Sequence, residues 1–370
     1  MSAVISTTVL AGCGSYLSSS NSSSSSAGQS NVSKETNAAS EAESTSSSSE
    51  KDFSLKTKIT SSDKITIRLA YDVAETHPSH KAFVEAFQTP LQEASNGNVT
   101  VELYPNGQLG SLAENMESMR IGDLEMCGLT DSTVASAIPE FNLIGLPFLW
   151  TSIDSAHEAL DGDFGDYMTN LMHEKLGFKN FGYLDVGFRN ITNSKKEIKV
   201  PDDLKGLKIR TMTNELHVEY FNALGAIPTP MSFTELFTAL QQGTVDGQEN
   251  PTALIYNNQI YEVQKYMTVS EHVWTSTPFV IAENFYNGLP QDIQAAIAEA
   301  GANTIAYQRE MITDQNQSLI KNIEDAGTQV TELTPDEKQL FQDVAMNSVW
   351  KTAAQNYGQN LIDMASAHNK

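Results

Sequence analysis

Gly187-Phe188-Arg189-Asn190-Ile191-Thr192-Asn193-Ser194 and, after a polar turn, Pro201-Asp202-Asp203-Leu204-Lys205-Gly206-Leu207-Lys208-Ile209-Arg210 carry the reading of the fold. Each contains a short apolar run that fits a strand, Phe188 to Thr192 and Leu207 to Thr211. A helical pattern follows over Glu215 to Leu224, then Pro228-Thr229-Pro230. Ser232-Phe233-Thr234-Glu235 has the spacing in which a serine caps a helix start while the glutamate reaches back to it, and Gly243 is placed to end that helix. Strand, strand, helix, turn and helix in this order predict one α/β lobe.

Towards the amino terminus the same rhythm appears. Ile65 to Ala70 and Asn98 to Tyr104 alternate like strands, and Ser79 to Ala94 places Phe83, Phe87, Leu91 and Ala94 near helical spacing. Pro105-Asn106-Gly107 marks a turn, Ser111 to Glu114 a second capped helix start, and Leu124 to Leu129 a short strand. Asp154 to Lys175 reads as helical and Phe178 to Leu184 as a further strand. Val273 to Ala282 returns as a strand, Gln291 to Gln315 forms a long helix, and Thr334-Pro335-Asp336-Glu337 opens the last helices. The expectation is an α/β, two-lobed chain, its two α/β domains joined by hinge strands and a long helix, with a largely parallel sheet in the first lobe. Residues 64–187 with 276–315 form lobe I, and 188–275 with 316–370 form lobe II.

Residues 1–13 end in Leu10-Ala11-Gly12-Cys13, small residues before a cysteine, which resembles a bacterial lipobox and makes Cys13 the expected lipid attachment point. From 14 to 63 serine dominates, with hardly any large apolar residue, which predicts a flexible tether. The chain of 370 residues has 23 Lys and Arg against 46 Asp and Glu, a formal charge of −23. That charge excludes nucleic acid as a partner. No apolar run approaches the length of a membrane-crossing helix. Two cysteines in different contexts, Cys13 and Cys127, support neither a disulfide framework nor a thiolate metal site.

Enzyme signatures are mostly missing: there is no GxSxG, Walker loop, dinucleotide GxGxxG, HExxH or CxxC. His77 and His80 bracket a helix start and read as a cap and a solvent contact, so no metal or cofactor is expected. Asp161 to Asp166 lacks the spacing of a calcium loop and reads as a turn and helix cap. Arginine is more informative. Only five occur, and Arg189 and Arg210 both lie in apolar strand-like stretches. A guanidinium fork matches a carboxylate bidentately, so the two form either an anion site or structural salt bridges with the many Asp and Glu side chains.

The Arg189 and Arg210 segments quoted above, together with Leu224 to Met231, Ala239 to Pro251 (its Asp246-Gly247-Gln248-Glu249-Asn250 above all), Tyr104 to Gly110 and Tyr261 to Tyr266, resemble the DctP-type solute-binding proteins of tripartite ATP-independent periplasmic (TRAP) transporters. The resemblance runs from about Lys64 to the carboxyl terminus. It implies a periplasmic-binding-protein-like fold that closes on a small organic acid and delivers it to TRAP permease membrane subunits, with no catalysis and no cofactor. By the same resemblance Arg210 pairs with the ligand carboxylate, Arg189 assists, Asn250 donates to the same end and Phe233 packs on the ligand. Lobe I contributes the loop after its first strand, with Asp72 and Glu75, and Thr130 and Asp131. Asn214, His217 and Trp274 are further pocket candidates, each equally a helix cap, an exposed helix face and a core or hinge aromatic respectively.

Polar lobe I positions suit hydroxyls, which favours a sugar acid such as a uronate or aldonate; a C4-dicarboxylate would want positive charge at both ends. Two rivals differ in kind: an enzyme using Asp131 or His217 as a general acid or base, and a ligand-sensing extracytoplasmic module.

Overall fold

The computed structural model describes residues 51–369. Nine strands form one continuous sheet: β1 (Ile65–Ala70), β2 (Val99–Tyr104), β3 (Met126–Gly128), β4 (Phe178–Asn193), β5 (Lys208–Thr211), β6 (Ile227–Pro230), β7 (Gly247–Pro251), β8 (Tyr266–Ala282) and β9 (Gln329–Glu332). Their order is β2-β1-β3-β8-β4-β7-β5-β6, with β9 beside β8. Each outer part is parallel, the first as expected: β1 pairs with β2 and β3, and β5 with β6 and β7. The middle is antiparallel, which corrects the expectation of a largely parallel sheet in the first lobe. β4 and β8, 16 and 17 residues long, run through both parts and fuse them.

The sequence divides β4 near Gly187, yet it is one strand. Its pairing with β8 shifts register between Asp185 and Gly187 and again between Arg189 and Ile191. A bulge breaks the two-residue alternation by which a strand is recognised. Gly187, at φ 107°, takes a conformation that a side chain would resist.

The long helix is Gln291–Asp325, extending past the expected Gln315 through the apolar-poor Asp314-Gln315-Asn316-Gln317-Ser318. Near its start Ile293, Ala296, Ile297 and Ala300 bury against Ile67, Phe87 and Phe279, while Ile323 near its end joins the core of Leu236, Val245 and Met267. One helix therefore contributes to both of these apolar clusters.

The expected tether also needs correction. From Lys51 the chain lies extended along this helix. The amides of Lys56 and Thr57 donate to Glu299 (2.8 and 2.9 Å), and those of Thr60 and Ser61 donate to Asp292 (2.6 and 2.9 Å). These bonds hold the Asp292 carboxyl down at about 2. Phe53 packs on Tyr307, with ring centroids 4.8 Å apart, and Leu55 and Ile59 join the Ile67 core. Phe53, Leu55 and Ile59 are odd-numbered positions on one side of an extended strip, a pattern that the surrounding serines hide. Cys13 and the rest of residues 1–50 lie outside the described residues. Among those described, no helix is long and apolar enough to cross a membrane.

Candidate ligand-binding cleft

Ligands in open α/β sheets gather beyond the carboxyl ends of parallel strands. Here those ends converge. Asp72 follows β1, Thr130 and Asp131 follow β3, Met212 follows β5, Met231 follows β6, and Asn250 lies at the end of β7. With Val186 and Arg189 of β4, Thr275, Ser276 and Thr277 of β8, and Phe233, they line a cavity of about 140 Å³.

Arg210 is held at one edge only. Its Nε and Nη2 both donate to the Met231 carbonyl (3.1 and 2.8 Å), while buried Nη1 has no partner. Burial pulls the guanidinium down to about 10, opposed by Glu249. A free donor on a desolvated cation is the most favourable place in the wall for a carboxylate oxygen.

Arg189 behaves differently. It is 1% exposed, its Nε pairs with the Glu249 carboxylate, and Nη2 donates to Glu249 Oε1 (2.9 Å) and Asn250 Oδ1 (3.0 Å). Nη1 alone turns towards Thr275 Oγ1, at 3.5 Å. Burial pushes the Glu249 carboxyl upward, but the Arg189 charge, hydrogen bonds from Arg189 and the His272 ring 3.5 Å away overcome it and hold it well below the ordinary carboxylate range. The salt-bridge alternative thus describes most of Arg189, whereas Arg210 has no carboxylate partner and keeps Nη1 free. Asn250 donates one amide hydrogen to Gln248 Oε1, at 2.5 Å, and its oxygen accepts from Arg189.

The opposite wall is acidic. Asp131, fully buried, accepts from the amides of Ser132 (2.6 Å) and Ser276 (3.2 Å), yet burial still lifts its carboxyl to about 6. Burial also lifts Asp72 to about 6, against the pull of its own amide and of Arg210. Thr130 caps the helix Asp131–Ala135, accepting from Thr133 N at 3.2 Å.

Several expected residues are elsewhere. Glu75 is exposed and does not line the cavity. Asn214 is a helix cap, accepting from His217 N (3.1 Å) and donating to the Asn142 carbonyl, outside the cavity. His217 is buried rather than on an exposed helix face; its Nε2 bonds the Gly145 carbonyl (2.9 Å), and burial lowers it to about 4. Trp274 packs edge-on against Trp150, centroids 5.2 Å apart, as a core aromatic. His77 caps its helix, accepting from Ser79 N at 3.2 Å. Asp161 and Gly162 lie at the junction of two helices, as their turn-and-cap reading requires. Among the described residues no group of three or more His, Cys, Asp or Glu could hold a metal.

Sequence reading missed the β8 hydroxyls. Thr275-Ser276-Thr277 interrupts an apolar strand, which is a usable signal, and the Ser276 Oγ is buried without a partner. The Met231 carbonyl that aims Arg210 leaves no signal, because a backbone oxygen has no residue type.

The sequence profile of the bacterial extracellular solute-binding protein family 7, DctP, matches residues 69–356. The chain belongs to the DctP family. It is 32% identical over 286 residues, 77% of this chain and 85% of the relative, to the 2,3-diketo-L-gulonate-binding periplasmic protein YiaO of Escherichia coli. The sugar acid binding protein DctPAm of Advenella mimigardefordensis, in complex with galactonate, matches with a TM-score of 0.80 and 33% identity over 84% of this chain and 100% of that one. A TRAP periplasmic solute binding protein from Sulfurospirillum deleyianum with bound succinate matches with a TM-score of 0.80 and 28% identity, over 83% and 100% of the two chains. As a DctP-family protein the chain is an extracytoplasmic solute-binding protein of a transport family and not an enzyme. That removes the catalytic rival, whose His217 is also outside the cavity wall.

Proposed function

We propose that this DctP-family protein captures a hydroxylated monocarboxylate, a uronate or aldonate, and passes it to a TRAP permease. The observation that carries this reading is the asymmetry of the cleft: one wall offers the unpartnered Nη1 of Arg210, and the other offers Asp72, Thr130, Asp131 and the β8 hydroxyls. The carboxylate binds at Arg210, with Arg189 and Asn250 supporting that end, Phe233 packs on the carbon chain, and hydroxyls donate to the acidic wall. Lobes of residues 64–187 with 276–315 and 188–275 with 316–370 close about the bulged β4 and β8 near Gly187 and Thr275, in the manner of hinged binding proteins. Cys13 carries a diacylglyceryl group that holds the protein at the outer face of the cell membrane.

A thermal-shift screen against uronates, aldonates, sialic acid, dicarboxylates and 2-oxo acids tests the ligand class. A ligand at a hundredfold over its Kd adds about 2.7 kcal/mol to stability, a shift of several degrees. Hydroxylated monocarboxylates are expected to shift the Tm; a shift by succinate alone would replace this reading with a C4-dicarboxylate one. For the anchor, Cys13→Ser is expected to move the protein from the membrane fraction to the soluble one.

A further inference from the structure

The cavity wall has an unbalanced charge. Arg189 is neutralised by Glu249 and adds nothing net. Arg210 contributes one positive charge, and Asp72 and Asp131, both ionised, contribute two negative ones, so the wall carries 1 − 2 = −1. A monocarboxylate would take the enclosed group to −2 and a dicarboxylate dianion to −3. Inside a closed cleft such repulsion is far stronger than in water, and like charges that share a site cannot all stay ionised.

The two carboxyls are not equally able to relieve it. Asp131 accepts from Ser132 N, Ser132 Oγ (3.3 Å) and Ser276 N, and it senses Arg189, all of which favour the ionised form. Asp72 has only its own amide and the charge of Arg210. A carboxylate bound at Arg210 would cancel that charge where Asp72 senses it. Of the remaining groups, Cys127 on β3 beside Asp72 is a neutral thiol, its ionisation pushed far up by burial. Glu249 and Glu235 act on Arg210, His217 and His272 face Glu249, and Glu75 lies exposed on the Asp72 loop and acts on Tyr71 and His80. None supplies a second positive charge to the acidic wall.

We infer, resting on the organic-acid reading above, that capture of a monocarboxylate is coupled to uptake of one proton by Asp72, which turns it from a repelling carboxylate into a hydrogen-bond donor to a ligand oxygen. The proton comes from solvent, and no other bond is made or broken. The complex then carries −1, as the wall did before, whereas a dianion would still raise it to −2. The same residue thereby selects against dicarboxylates.

The sign follows from linkage: the complex holds more protons than the free protein, so affinity is greatest at low pH and falls as pH rises above about 6, where Asp72 of the free protein ionises. Isothermal titration calorimetry of the full chain with D-galactonate, D-glucuronate and succinate, in phosphate and in Tris at pH 7, reads proton uptake directly from the difference in enthalpy between buffers. The expected result is about 0.5–1 proton taken up per sugar acid and a Kd that rises up to about tenfold per pH unit between pH 6 and 8. Asp72→Asn, a neutral mimic of the protonated acid, is expected to bind the sugar acid at pH 7 at least as tightly as wild type, with no buffer dependence. Sugar-acid binding without uptake, or uptake that persists in Asp72→Asn, would overturn the inference and leave the ligand class intact. Succinate binding alone would overturn both, and no binding by any of the three would overturn the reading on which the inference rests. The wild-type measurement decides the matter even if the variant fails to fold.

Discussion

The two arginines of the cleft have the same side chain in similar strand contexts, yet they do different work. Arg189 gives Nε and Nη2 to Glu249 and Asn250, while Arg210 gives its matching edge to a single carbonyl and keeps Nη1 free. Partner, not residue type, decides whether a buried guanidinium is saturated by the fold or keeps a donor free in the cavity wall. Glu249 is the cause of the difference: it neutralises Arg189 and leaves Arg210 the only uncompensated cation in the wall.

The sharpest break in this comparison is Arg189→Met. It strands the buried Glu249 charge, and losing one partner of a buried pair costs about 3–5 kcal/mol. Chemical denaturation is expected to show that loss with or without ligand, and a variant of wild-type stability would refute the structural role. Acid titration sharpens the same point. The Glu249 carboxyl lies below its unfolded value, so its contribution is present above about pH 4.5 and disappears as pH falls below that. Glu249→Gln should flatten this part of the acid unfolding profile.

Arg210→Lys is the complementary change. It keeps the charge but loses the fork, and hydrogen bonds to charged groups contribute about 1.5–3 kcal/mol each. Calorimetry is expected to show a Kd weakened by about 10- to 100-fold, with the unliganded Tm close to wild type; unchanged affinity would move the carboxylate site elsewhere. The smallest effect belongs to a region outside the cleft. A chain beginning at Lys64 lacks Phe53, Leu55, Ile59 and the bonds to Asp292 and Glu299, and its Tm should fall by a few degrees while sugar-acid affinity stays the same.

The positive wall was legible because it lies in dense motifs, where an arginine in an apolar strand is conspicuous. Three capped helix starts were legible for a related reason: at Ser111, Ser232 and Thr334 a glutamate three residues on bonds back to the cap residue. The acidic wall was only half legible. Asp72 and Asp131 both line the cavity, but Glu75, three residues from Asp72, is turned to solvent, and sequence spacing does not say where a loop side chain points. That β4 is one strand was not legible. Register shifts made β4 look like two strands, and only pairing with β8, nearly ninety residues away, makes it one. The strip from Lys51 to Asp63 was lost to composition, since three apolar residues among serines and lysines resemble a linker until a helix is present to receive them.

That strip has a mechanical consequence. It runs antiparallel to the long helix, with Lys51 at Glu310, Lys56 and Thr57 at Glu299, and Thr60 and Ser61 at Asp292. A pull applied from before Lys51 reaches these fastenings in turn, the Glu310 pair first and the Asp292 clamp last. Each release pays out more chain, and full release of the thirteen residues 51–63 adds up to about 45 Å of slack. If the protein is moored through its amino terminus, the distance at which its head rides is therefore adjustable in steps, and the helix that joins two of the apolar clusters is also the cleat on which the line is made fast.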